Sequence, residues 1–284
     1  MSRALTAVLL AFGLLAIAPQ QGVAAERWQT IPASAPAVPM QREGHADING
    51  ASIYYAMTGS GPPVLLLHGG LGSSNDWGNL VPALAAQHTV IVMDSRGQGR
   101  STRDAKPYKF ELMAHDVIGL LEQLKIEKVD IVGWSDGANT GLLLAMHHPA
   151  LVGKLFAFGA NTSVSGLIDA PEKNPIFPMV MEHFATGYAA LSSTPKDFEA
   201  LAGQMSSMWT AEPEWTDAQL ARITSPVWIV DGDHEEFIKR SHTEHIAATI
   251  PGAGLLILPN VSHFAPVQAP ELFNAAVLQF LGPD

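Results

Sequence analysis

Six short runs of the chain are apolar with almost no interruption: PVLLLHGG (63–70), TVIVMD (89–94), VDIVG (129–133), KLFAFGA (154–160), PVWIVDG (226–232) and GLLILPN (254–260). A strand with one wet face alternates apolar and polar residues, so runs of this kind are buried on both faces. Both faces of a sheet are covered when helices pack on each side of mainly parallel strands. Helix-patterned segments lie between the runs at 111–124 and 138–149, and after the last of them at 270–281. The alternation predicts an α/β fold with a mostly parallel central sheet flanked by helices. ASIYYAM (51–57), turned by Gly59-Ser60-Gly61-Pro62, alternates loosely and predicts one half-exposed strand ahead of them.

Residues 161–225 break the rhythm, with helix starts at Thr194-Pro195 and Thr216-Asp217 but no strand-like run. An insertion at the carboxyl ends of the strands is placed to form a lid. Phe177, Met179, Met181, Met205, Met208 and Trp209 make it more apolar than a plain surface loop, so it packs on the body and supplies part of a pocket wall. The core is then expected over 45–160 and 226–284. With 47% hydrophobic and 15% charged residues in 284, one large domain fits better than several small ones.

The ends read differently. Residues 1–25 have a basic start at Arg3, an apolar run from Ala4 to Ala18 and a small-residue site at Val23-Ala24-Ala25, the pattern of a cleaved export signal. The run falls short of the roughly 20 residues that cross a bilayer, so no stable membrane insertion is expected after cleavage. Residues 26–44, with Pro32, Pro36 and Pro39, read as a flexible leader. The chain has no cysteine, which excludes disulfides and lipidated cysteine alike. A formal charge of −11 repels phosphate, so nucleic acid is a poor partner and a small molecule the expected one.

The strand at 129–133 ends in Gly133-Trp134-Ser135-Asp136-Gly137, ahead of a helix. In that setting the two glycines remove side chains that would clash in a sharp turn, and Ser135 is presented above the sheet as a nucleophile. Serine at neutral pH needs a base to take its proton. His263, in the loop between the last strand and the last helix, stands where that base belongs. The acid that orients it belongs in the turn after 226–232, where Asp231, Asp233, Glu235 and Glu236 cluster, Asp231 still within the strand. His234, Glu235, His242 and His245 lack the HExxH spacing of a metal site.

His68-Gly69, DSRGQGRS (94–101), GWSDG and the order serine, acid, histidine together resemble the α/β-hydrolase family over about residues 45 to 281. GWSDGANTGLLLAMHHP followed by KLFAFGAN is similar to the branch containing valacyclovir hydrolase. The resemblance implies an acid three residues after the glycine that closes the strand, which from Gly232 is Glu235, a glutamate in place of the commoner aspartate, with Asp233 as its rival. It also implies an oxyanion hole from the backbone N–H groups of Gly70 and Asp136. In that branch the aspartate beside the serine is taken to bind a substrate amino group, so Asp136, with Trp134 and Trp209, is expected at the substrate. Epoxide hydrolases and haloalkane dehalogenases carry aspartate at the elbow, where this chain has Ser135. A non-catalytic binding protein on the same scaffold would be expected to lose the nucleophile or the base, and both are present. The expected activity is hydrolysis of small to medium carboxylic esters through an acyl-enzyme, without a cofactor. Lactones, amides, carbon–carbon bonds and perhydrolysis remain open on the same triad.

Overall fold

The computed structural model describes residues 25–33, 35 and 38–282. Apart from Ala25, the expected export signal lies outside the described residues. In chain order the elements are β1 (Arg42–Ile48), β2 (Ala51–Gly59), β3 (Pro63–Leu67), α1 (Val81–Ala85), β4 (Thr89–Met93), α2 (Phe110–Leu124), β5 (Val129–Trp134), α3 (Asp136–His147) and β6 (Val152–Phe158). They continue with α4 (Phe177–Leu191), α5 (Phe198–Trp209), α6 (Asp217–Leu220), β7 (Val227–Gly232), α7 (Arg240–Thr249), β8 (Gly254–Leu258), α8 (Ala265–Gln268) and α9 (Pro270–Leu281).

One sheet runs in the order β1-β2-β4-β3-β5-β6-β7-β8. The β1–β2 and β2–β4 pairs are antiparallel, and every pair from β4 to β8 is parallel. The six apolar runs are the six parallel strands, and Val64, Leu65, Leu66, Ile131 and Val132 in them are fully buried. Burying a leucine or valine side chain of this kind contributes about 1.5–3 kcal/mol each.

β1 is a strand that apolar content did not reveal, because as an edge strand it leaves alternate polar residues in water. It moves the start of the core from residue 45 to Arg42. The turn into β2 is Asn49-Gly50, with φ of 49° and 81°. That dipeptide suits the two-residue hairpin turn whose twist matches its strands.

The segment expected to be a flexible leader is, where described, docked on the domain. The Trp28 ring stacks on His234 at 4.2 Å. Gln268 Nε2 donates to the Thr30 carbonyl at 2.9 Å, and Ile31, Val38 and Met40 pack against the core. Proline content argued against regular structure, but carbonyls and apolar side chains remain free to dock.

The insertion contains α4, α5 and α6. Thr216 caps α6 with Gln219 as a capping box. Thr194-Pro195 does not begin a helix: the Thr194 hydroxyl is engaged with the Tyr188 hydroxyl at 2.9 Å, and α5 begins at Phe198. Arg103 reaches from the body to Asp197 at 2.8 Å and to Gln204 at 3.2 Å, tying α5 down.

The loop after β4 is rigid and fixes the loop after β3. Arg96, with a fully buried side chain, bonds Asp116 at 2.6 and 2.9 Å and Asp104 at 2.9 Å. Removing one partner of such a buried pair costs about 3–5 kcal/mol. Asp94 accepts the amide of Ser74 at 2.7 Å and that of Arg100 at 2.7 Å. His68 Nε2 accepts the Ser95 amide at 2.9 Å, which leaves its Nδ1–H to donate to the Gly69 carbonyl at 2.7 Å.

Candidate active site

The parallel strands bring their carboxyl ends to one edge of the sheet, where α/β proteins place ligands. Ser135 follows the end of β5 with φ 55° and ψ −117°, a strained position for a residue with a side chain. Its amide donates to the Phe158 carbonyl at the end of β6, at 2.8 Å. A Cβ on Gly133 would lie 2.6 Å from the backbone of Ala138, and one on Gly137 would press on the carbonyl of Leu67. Both glycines are required by close approach of the helix that leaves the turn.

His263 reaches the same place from the loop after β8. A Cβ on Gly159, the residue after Phe158, would come within 2.6 Å of its ring, and Gly159 itself has φ 62°. The ring is walled by Trp134, Phe158 and Phe237. Glu235 Oε2 stands 2.9 Å from His263 Nδ1. An ionised carboxylate there accepts Nδ1–H, which leaves Nε2 unprotonated and available as a base. Asp233, the rival acid, instead accepts the Val261 amide at 3.3 Å and is about one-third exposed, with 35% of its side-chain surface open.

Burial lowers the His263 pKa from its ordinary value, against the raising influence of Glu236, Asp231 and Asp136. Three buried carboxyls surround its base, and burial raises Glu235, Glu236 and Asp231 alike. The hydrogen bonds decide where charge resides. Glu235 Oε1 accepts the amides of Phe237 at 2.8 Å and Ile238 at 3.2 Å, so it is well placed to carry a negative charge. Asp231 is raised well above its ordinary value by burial and then by the charge on Glu235, and accepts the Thr243 hydroxyl at 2.6 Å. Glu236 grips the backbone of the base loop, accepting the His263 amide at 2.9 Å and the Ser262 hydroxyl at 3.0 Å.

Asp136 is the first residue of α3, so its N–H is among the helix donors that lack an intrahelical partner. Gly70 packs against it: a Cβ there would lie 2.5 Å from the Asp136 carboxylate and from the Trp209 ring. The Asp136 side chain is buried, and both its oxygens are 3.0 Å from Trp209 Nε1. The lid's indole N–H thus shares the carboxylate that the resemblance implies for a substrate amino group. Burial pushes its pKa up to about 6, and the Trp209 donor and His263 oppose the shift. Trp134, expected at the substrate, is buried in the core between Trp77 and Phe264 and backs the His263 ring.

Gly159, Asp231 and Glu236 are site residues that the sequence reading did not assign. A Gly closing the apolar run of β6 was the visible signal for the first. His242 and His245, weighed as metal ligands, are separately engaged: His242 Nε2 accepts the Thr162 amide at 3.0 Å, and His245 Nε2 pairs with Asp217 at 2.8 Å.

Comparison with known proteins agrees with this fold. A family model described as alpha/beta hydrolase fold matches residues 62–210. The human protein named serine hydrolase BPHL is 31% identical over 255 residues, covering 82% of this chain and 84% of its own length. The 2-hydroxy-6-oxononadienedioate/2-hydroxy-6-oxononatrienedioate hydrolase 2 of Pseudomonas putida is 28% identical over 272 residues, covering 84% of this chain and 94% of its own. Among solved structures, a hydrolase from Pseudomonas aeruginosa superposes with a TM-score of 0.69 at 26% identity, covering 86% of this chain and 99% of that one. This chain belongs to the alpha/beta hydrolase fold family.

Proposed function

We propose that the protein is an exported serine hydrolase that cleaves uncharged carboxylic esters of small to medium size through an acyl-enzyme on Ser135. The observation that carries the reading is the 2.9 Å pairing of Glu235 with His263 Nδ1, which leaves Nε2 free to take a proton. Ser135 Oγ attacks the ester carbonyl carbon as its proton passes to Nε2 of His263. The oxyanion is met by the N–H groups of Gly70 and Asp136. The tetrahedral intermediate expels the alcohol, which takes the proton from Nε2, and leaves the acyl group on Oγ. Water then attacks the acyl carbon, His263 again taking and returning one proton, and the acid is released.

The charge pattern favours uncharged substrates. The relative from Pseudomonas putida is named for a substrate with two carboxylates. Here the residue after the nucleophile is a buried acid, and Asp76 and Glu182 line the neighbouring cavity. A dianion would meet all three. Among the described residues no helix is long and apolar enough to cross a membrane.

A fluorophosphonate probe should add covalently to Ser135 and fail on Ser135→Ala. Ester hydrolysis by the folded variant should fall by on the order of 10⁴-fold or more, because nucleophile and base act as one unit. A panel of esters, lactones and amides with the parent enzyme ranks the bond type. Retention of most activity in folded Ser135→Ala would overturn the mechanism.

A further inference from the structure

We infer that the cavity between the lid helix α4 and the loop 71–76 receives the aliphatic chain of the ester, and that Gly187 sets how long a chain it accepts. This deepens the serine-hydrolase reading and rests on it. The cavity measures about 540 Å³, within the range of small-molecule sites. Two of its walls are one step from the proposed chemistry. Leu71 follows Gly70, the proposed oxyanion donor, and Phe184 packs on Phe264 at 5.9 Å, next to His263. Ile31, Met179 and Leu191 make the remaining surface mainly apolar. Asp76 in the wall is paired with His183 at 3.3 Å and accepts the Ser73 amide at 2.8 Å, and these partners hold its carboxyl below its ordinary value despite its burial.

Gly187 lies in the interior of α4 and lines this cavity. Its φ is not in the left-handed region, and a Cβ built there meets no atom within 4 Å. Neither backbone conformation nor crowding therefore calls for glycine. A glycine in a helix interior destabilises the helix relative to alanine, so its place here is accounted for by the space it leaves open. Gly203 in α5 is equally uncrowded but exposed and does not line the cavity, which makes it a matched control on the same lid.

The test measures kcat/KM of the full chain on two series: p-nitrophenyl esters from acetate to octanoate, and acetate esters of methanol to octanol. In Gly187→Leu the octyl-to-shortest ratio should fall by about tenfold or more in the series whose chain occupies the cavity, since a pocket discriminates on that scale per methylene or more. Gly187→Ala should shift the same ratio less, and Gly203→Leu not at all. Neither Gly187 variant should lower Tm, because each improves helix propensity. A fall confined to the acyl or to the alcohol series assigns the chain to that side of the ester. An unchanged ratio in both series for folded Gly187→Leu, or an equal fall in Gly203→Leu, overturns the inference. Failure of the serine reading shows separately, as activity retained in Ser135→Ala.

Discussion

Glu235 Oε2 meets His263 Nδ1 at 2.9 Å, while Asp233, two residues earlier, turns to the amide of Val261. The longer side chain thus reaches the base from a turn in which the shorter one does structural duty. Glu235→Gln should keep the shape but lose the charge that stabilises imidazolium, lowering kcat by about 10² to 10⁴-fold. Asp233→Asn should leave kcat close to the parent. The opposite ranking in steady-state ester hydrolysis would move the acid to Asp233.

Gly159→Ala tests how closely the base is seated. The new methyl group would enter a left-handed backbone position and come within 2.6 Å of the His263 ring. The backbone cost is about 1–2 kcal/mol, visible as a modest fall in Tm. Displacing the ring by even a fraction of an ångström should lower kcat by on the order of tenfold to a hundredfold. A variant with reduced Tm and unchanged kcat would show that the ring position is not critical.

The pH profile follows from burial. The groups facing His263 are Glu235, Glu236, Asp231 and Asp136, yet desolvation outweighs the attraction of Glu236, Asp231 and Asp136 and its pKa lies below the ordinary 6.5. The neutral form is the base, so the acidic limb of kcat/KM should be centred below pH 6.5. Because the unfolded chain binds a proton on this histidine more readily, its contribution to stability is present above pH 6.5 and is lost as pH falls through the lowered folded value. A limb centred above pH 6.5 would contradict the burial argument.

Asp136 should act in the opposite sense on stability. Its folded pKa of about 6 exceeds the ordinary 3.8, so the folded protein binds its proton more tightly. The cost of ionising it sets in as pH rises through that interval and is full above about pH 6. A shift of about two units corresponds to roughly 3 kcal/mol. Asp136→Asn keeps an acceptor for Trp209 and removes the charge, so the Tm difference, variant minus parent, should be more positive at pH 8 than at pH 5. A pH-independent difference would mean that the carboxyl is not desolvated.

Seven of the eight strands and the elbow turn were legible in the sequence because each depends on neighbouring residues. Continuous apolar runs can be buried on both faces only in a covered sheet, and two glycines around Ser135 matter through local crowding. Asn49-Gly50 carried an equally local signal for the β1–β2 hairpin, obscured by the polar face of an edge strand. What tertiary structure alone decided lies between residues distant in the chain. That Glu235 and not Asp233 touches His263 depends on where the loop after β8 sets the ring, and the crowding at Gly159 depends on that ring as well. Trp209 reaches Asp136 from 73 residues away and donates to its carboxylate. Local pattern specifies which groups a strand or turn can present, whereas hydrogen-bond reach and steric contact depend on distances of a few tenths of an ångström that only the assembled packing sets.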